Sequence, residues 1–152
     1  MKTISNATVE VQMMIRKPVD EVFNAFVDPA VTTNFWFTKS SGPLGEGRRV
    51  RWEWEMYGAT VEVEVIKIEK NKLISTKWGE PATIVNYTFT DLGNDRTYVV
   101  IRNYGFSLEG EELISAIKDN TGGFTTVLDG LKAWLEHGIR LNLVADKFPR
   151  NN

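Results

Sequence analysis

Between Arg49 and Glu69 apolar and charged residues alternate so regularly that both halves of the segment must be strands with one dry face and one wet face. Val50, Trp52, Trp54 and Met56 share one face with Val61, Val63 and Val65, while Arg49, Arg51, Glu53, Glu55, Glu62 and Glu64 share the other. A period of two fits the pleat of a strand and not the turn of a helix. The segments 49–57 and 60–69 therefore read as a hairpin turning near Gly58-Ala59, with a bulge where the apolar phase slips at Val65-Ile66. Such a face has to be covered by another layer. The cover is residues 121–146, where Phe124, Val127, Leu128, Leu131, Trp134 and Leu135 form an apolar stripe at helical spacing. Thr121 reads as the cap of this helix, and Gly122, Gly123 and Gly130 as places where it lies close against the sheet. Residues 109–118 read as a separate short helix.

The remaining segments supply more of the sheet. Residues 9–16 alternate as a half-buried strand, with Val9, Val11, Met13 and Ile15 on one face. Pro18, Asp20 and Glu21 suit a helix start, and Val19, Val22, Phe23, Phe26 and Val27 give a short amphipathic helix over 18–27. A second short helical piece covers 30–36 and turns Phe35 and Trp36 inward. Glycine, serine and proline make 38–48 a loop. Strands follow at 73–78, 82–91 and 96–105, with Val85, Tyr87 and Phe89 alternating in the second. Val99, Ile101 and Asn103 are placed inside in the third, because the other phase would bury Arg96 and Arg102. No linker, repeat or second composition divides the 152 residues, so a single domain is expected.

Composition removes several classes of function. A net charge of −2 and scattered Lys and Arg leave no footprint for nucleic acid. The absence of cysteine excludes disulfides and thiolate metal sites and suits a reducing compartment. Met1 to Thr8 lacks the apolar core of a signal peptide, and no stretch is apolar enough for a membrane span, so the cytoplasm is the expected location. His137 is the one histidine and no nucleophile elbow accompanies it, which leaves a Ser-His-Asp type triad without support. Asp91 to Asp95 reads as a hairpin turn rather than a calcium loop, and Gly42 to Gly47 lacks the order and the lysine of a phosphate loop. The glutamates at 53, 55, 62 and 64 stand on the wet face among arginines. No catalytic residue, metal or cofactor is assigned.

The aromatic residues carry the most information. Trp36, Trp52, Trp54, Met56, Val63, Trp78, Tyr87, Phe89 and Asn103 are expected to line one wall of a cavity, with Phe124, Leu128, Leu131 and Trp134 on the helix opposite. Tyr87 and Asn103 are its candidate polar anchors. Ordinary core packing is the competing account of the same residues.

Ile15-Arg16-Lys17-Pro18-Val19-Asp20-Glu21-Val22-Phe23, with Phe26-Val27-Asp28-Pro29 and Phe35-Trp36-Phe37, resembles the opening of the START-like (Bet v 1-like, SRPBCC) helix-grip domains. Within them it is most similar to the bacterial homologues of the activator of the 90-kDa heat-shock protein ATPase. The run Thr121-Gly122-Gly123-Phe124, Leu128 and Gly130 to Gly138 is similar to the terminal helix of that branch. The resemblance spans nearly the whole chain. It implies an α+β fold in which a curved antiparallel sheet of about seven strands wraps a long C-terminal helix, with two short helices after the first strand. The residues favour non-catalytic binding of a small apolar or amphipathic molecule between sheet and helix. The alternatives are partnership with a heat-shock chaperone ATPase, which the resemblance suggests, and a polyketide cyclase-like enzyme with Tyr87 or a cavity carboxylate as its acid–base group. A monomer or weak homodimer is expected.

Overall fold

The computed structural model describes residues 4–149. The first three residues of the stretch read for a signal peptide lie outside them. The chain runs β1 (Val9–Ile15), α1 (Val19–Val27), α2 (Pro29–Thr32), β2 (Lys39–Ser40), β3 (Arg49–Trp54), β4 (Ala59–Glu69), β5 (Leu73–Trp78), β6 (Thr83–Gly93), β7 (Arg96–Tyr104), α3 (Gly110–His137) and α4 (Leu143–Lys147). The strands form one antiparallel sheet in the order β1-β7-β6-β5-β4-β3-β2. Helix α3 lies across its concave face, which makes the α+β helix-grip fold.

The alternation in the sequence translates directly into sides of this sheet. Trp52, Val63, Val65, Tyr87, Phe89, Val99, Ile101 and Asn103 point into the core, while Arg49 pairs with Glu64 across β3 and β4 on the wet side at 3.5 Å. The register slips between Val65 and Lys67, and Ile66 is turned outward there. Asp28 caps α2 through its carboxylate and the Ala30 N–H, which ends α1 and starts α2 within one residue.

Four details differ from the sequence reading. Helix α3 is one continuous helix of 28 residues rather than two pieces, and it stops at His137, where Gly138 takes a left-handed conformation at φ 65°. Thr121 is therefore not a cap but an interior residue whose hydroxyl donates back to the Ile117 carbonyl at 2.6 Å. Apolar residues on both sides of the glycines (Leu113, Ala116, Ile117, then Phe124 and Val127) pack on the same core, so tertiary burial carries the helix across a weak stretch. The residues beyond Gly138 form α4 instead of extending α3.

The second difference concerns the glycines. A Cβ on Gly123 would meet nothing within 4 Å, and one on Gly122 only the tip of Lys147, so neither marks a close approach to the sheet. Gly130 does mark a close approach, but to the Phe35 backbone in the segment after α2 and not to a strand. Third, β3 ends at Trp54 and a 3-10 turn over Glu55–Tyr57 follows, which carries Met56 off the inner face. Fourth, the loop read at 38–48 contains the edge strand β2, paired with Trp52 and Glu53 of β3.

The C-terminal half of α3 is fastened to β1. Lys132 Nζ donates to the Met14 carbonyl at 2.9 Å and to Glu136 Oε2 at 2.6 Å, and Glu136 also accepts the Arg16 N–H at 2.9 Å. Burial pushes the Glu136 carboxyl up, but the Arg16 N–H, the Lys132 ammonium and His137 together outweigh it and hold it below its ordinary value of 4.5. A carboxylate depressed on folding adds stability above its unfolded pKa and loses it as the pH falls through the folded one. The substitution Glu136→Gln is thus expected to lower stability by about 1–2 kcal/mol near neutral pH and by much less near about pH 3. Urea unfolding at the two pH values measures the difference, and an equal loss at both would show that the charge has no part in the clamp.

Candidate functional site

A cleft of about 740 Å³ opens where the end of the sheet diverges from α3. Its apolar wall is built from four rings that arrive from four places. Trp36 follows α2, Trp54 and Trp78 are the last residues of β3 and β5, and Phe124 comes from the middle of α3. Strand ends serve this purpose because the backbone pairing fixes each indole while the chain leaves the sheet beyond it. The rings brace one another: Trp36 meets Trp78 and Phe124 edge to face, each at a centroid distance of 6.1 Å, and Trp78 lies tilted against Phe124 at 5.5 Å. Trp52, buried beneath them, sits 4.9 Å from Trp36 and stacks on Phe37 at 4.5 Å.

The opposite side is formed by Gly123 and Val127 of α3 and by Val144, Lys147 and Phe148 of the C-terminal segment. Tyr57, at the end of the 3-10 turn, donates its hydroxyl to the Val144 carbonyl and holds α4 beside the cleft. Arg140 adds a hydrogen bond to the Asn34 side-chain oxygen. Lys118, Asp119 and Lys147 stand exposed at the rim.

Of the residues singled out in the sequence, Trp36, Trp54, Trp78 and Phe124 come together on this cleft. Trp52, Val63, Tyr87, Phe89, Asn103, Leu128 and Leu131 are packed in the core behind it and do not line it. Trp134 packs on the core further along α3, and Met56 borders a small separate hollow with Arg140 and Asn142. Tyr87 is wholly buried, and burial pushes its phenol far above the ordinary tyrosine value, an effect the nearby Thr76 hydroxyl offsets only in part. Its oxygen makes no well-formed hydrogen bond among the described residues, and the Thr76 hydroxyl donates to the Val85 carbonyl at 3.0 Å. Asn103 donates to Thr83 Oγ1 and to the Ile84 carbonyl, both at 2.9 Å.

Sequence reasoning missed Tyr57, Asn120, Gly123, Val144 and Phe148. The one signal available was Gly138 followed by Asn142, a pair of turn formers that ends α3 early and frees the last residues to fold back.

The fold recurs in solved structures. SSP2350 from Staphylococcus saprophyticus is 27% identical, with 89% of this chain and 96% of that one covered at a TM-score of 0.78. The Aha1 dimer from Colwellia psychrerythraea is 16% identical, with 87% and 98% covered at 0.74. DynU16, from the dynemicin biosynthetic locus, is 23% identical at 0.79, and the match spans 90% of this chain but 49% of that one. No curated protein matches the chain. Residues 16–136 match the family described as Activator of Hsp90 ATPase homolog 1-like protein, within the SRPBCC superfamily, and the chain belongs to that family.

Proposed function

We propose that the chain binds a small apolar or amphipathic molecule in the cleft and releases it chemically unchanged. The observation that carries this reading is the open space of about 740 Å³ walled by Trp36, Trp54, Trp78 and Phe124. Ligand sites of this size lined by aromatic rings are the usual concave binding sites of proteins. A flat ligand that removes about 300 Å² of apolar surface from water gains about 7–8 kcal/mol before the costs of association. That gain sets a ceiling near micromolar affinity, and the costs of association move the expected value toward the millimolar range, without a charged anchor.

Catalysis of the cyclase kind has little to work with here. Tyr87, the acid–base candidate, is sealed in the core; Lys118, Asp119 and Lys147 stand in solvent at the rim of the cleft, and the half-buried Tyr57 hydroxyl is given to the Val144 carbonyl. The chaperone reading draws on no residue of the cleft.

Native mass spectrometry of the purified chain should show a retained apolar compound, and an anilinonaphthalene sulfonate probe should bind with quenching of tryptophan fluorescence. The variant Gly123→Leu separates binding from folding. Its side chain enters open space in the cleft, so probe affinity is expected to fall at least about tenfold. The same change removes a glycine from a helix interior and should raise stability by about 0.5–1 kcal/mol. Unchanged probe affinity in a folded Gly123→Leu variant would remove the cleft from consideration.

A further inference from the structure

The cleft has a neighbour. Trp54, Trp78 and Asn120 border both the 740 Å³ space and a second cleft of about 360 Å³, which lies between the turn joining β5 to β6 and the link from β7 to α3. The two spaces differ in chemistry. The first is walled by rings and rimmed by Lys118, Asp119 and Lys147. The second, apolar along Val61, Pro81, Phe106 and Leu108 and with the exposed Glu80 at its edge, also gathers hydrogen-bonding groups that the fold has not used. The Ser107 hydroxyl and the Asn120 carboxamide have no hydrogen-bond partner among the described residues. Thr83 Oγ1 receives the Asn103 amide at 2.9 Å, which leaves the Thr83 proton to be given away. Asn103 itself is fully buried and fixed by its second bond to the Ile84 carbonyl, so it holds Thr83 in place from behind.

We propose that the second cleft is the head-group subsite of the first: the chain takes an amphipathic molecule whose ring-bearing end lies among Trp36, Trp78 and Phe124. Its neutral, oxygen-bearing end passes Trp54 and Asn120 to meet Thr83 and Ser107. This rests on the reading of the larger cleft as a ligand site and adds the polarity and direction of the ligand. Asn120 is its specificity residue, because its carboxamide stands where both spaces meet and can both donate to and accept from a carbonyl or hydroxyl group. A fully apolar ligand would leave these three groups stripped of water and unpaired, and is disfavoured for that reason.

Two probes with one skeleton test it: 3-(1-naphthyloxy)propane-1,2-diol and 1-propoxynaphthalene, titrated calorimetrically into the native chain. The diol is the more water-loving of the two, and binding by apolar burial alone would favour the ether. The subsite predicts the reverse, with the diol bound about tenfold more tightly. Asn120→Leu and Ser107→Ala should each cut that preference, read as the ratio of the two affinities in the same variant, several-fold. Gly123→Leu should weaken both probes together. Equal or weaker binding of the diol, or a preference unchanged in both variants, overturns the head-group subsite and leaves the larger cleft standing. Failure of both probes to bind overturns the larger cleft as a ligand site, and the subsite with it. Should Asn120→Leu fold poorly, Ser107→Ala carries the test by itself.

Discussion

The substitution Trp52→Ala is expected to destabilise the protein by about 3–5 kcal/mol. Trp52 is 1% exposed, and its indole is held between layers rather than at their margin. It stacks on Phe37 with ring planes 16° apart and meets Trp36 and Trp78 at centroid distances of 4.9 and 6.3 Å. Alanine would remove the transfer free energy of a large ring and leave a void that rings of fixed rotamer cannot close. Each lost aromatic pair adds roughly 0.5–1.5 kcal/mol beyond the area term. Against a total of about 5–15 kcal/mol for a domain, this is a large fraction. Urea denaturation followed by circular dichroism measures it, and a loss under about 1 kcal/mol would mean that the ring is loosely packed. The shape of the cleft should change as well, since Trp36 and Trp78 lean on this indole.

The second large effect is expected at Gly130. A Cβ there would lie 3.2 Å from both the Cβ and the carbonyl oxygen of Phe35 and 3.7 Å from its Cα. These are atoms at or next to the backbone of the chain leading into Trp36 and Phe37, and they cannot swing aside. Gly130→Leu is expected to cost about 3 kcal/mol, because α3 must move off that segment or the segment must move off the sheet. Gly130→Ala sets a tight contact against a gain in helix propensity of about 1 kcal/mol, and should come out close to neutral or mildly destabilising. Gly123→Ala has the same gain and no contact to offset it, so the two alanines should move the melting temperature differently. Equal shifts would show that Phe35 yields freely. The comparison is clean because both glycines lie in one helix, seven residues apart.

The sequence was most legible where burial has a period. The faces of β3, β4, β6 and β7, and the choice of Val99, Ile101 and Asn103 as inward residues, follow from alternation because a strand has only two sides. Alternation says nothing about where sheet and helix part. Trp52 and Trp54 occupy the same face two residues apart, yet one is core and the other is cleft wall. What separates them is the 3-10 turn after Trp54 and the return of α4, and α4 is held by a tyrosine 87 residues earlier in the chain. No local pattern encodes such a contact. The break expected at Thr121-Gly122-Gly123 shows the converse. Local propensity there does favour an interruption, but Phe124, Val127 and Leu128 are buried on one continuous stripe with Ile117, and the core overrides it. Strand β2 was hidden for a similar reason, since two residues of a polar loop become a strand only by pairing with β3.

The margins of the sheet have a consequence for what can join this molecule. One margin is β2, too short to template anything. At the other, the Met14 carbonyl and the Arg16 N–H, which a newcomer's backbone would need, are already engaged by Lys132 and Glu136. An extended peptide adding to this end of β1 would have to break those two hydrogen bonds before it could zip onto the seam. Severing the Lys132–Glu136 clasp would unmask that seam, and with it a route to self-association.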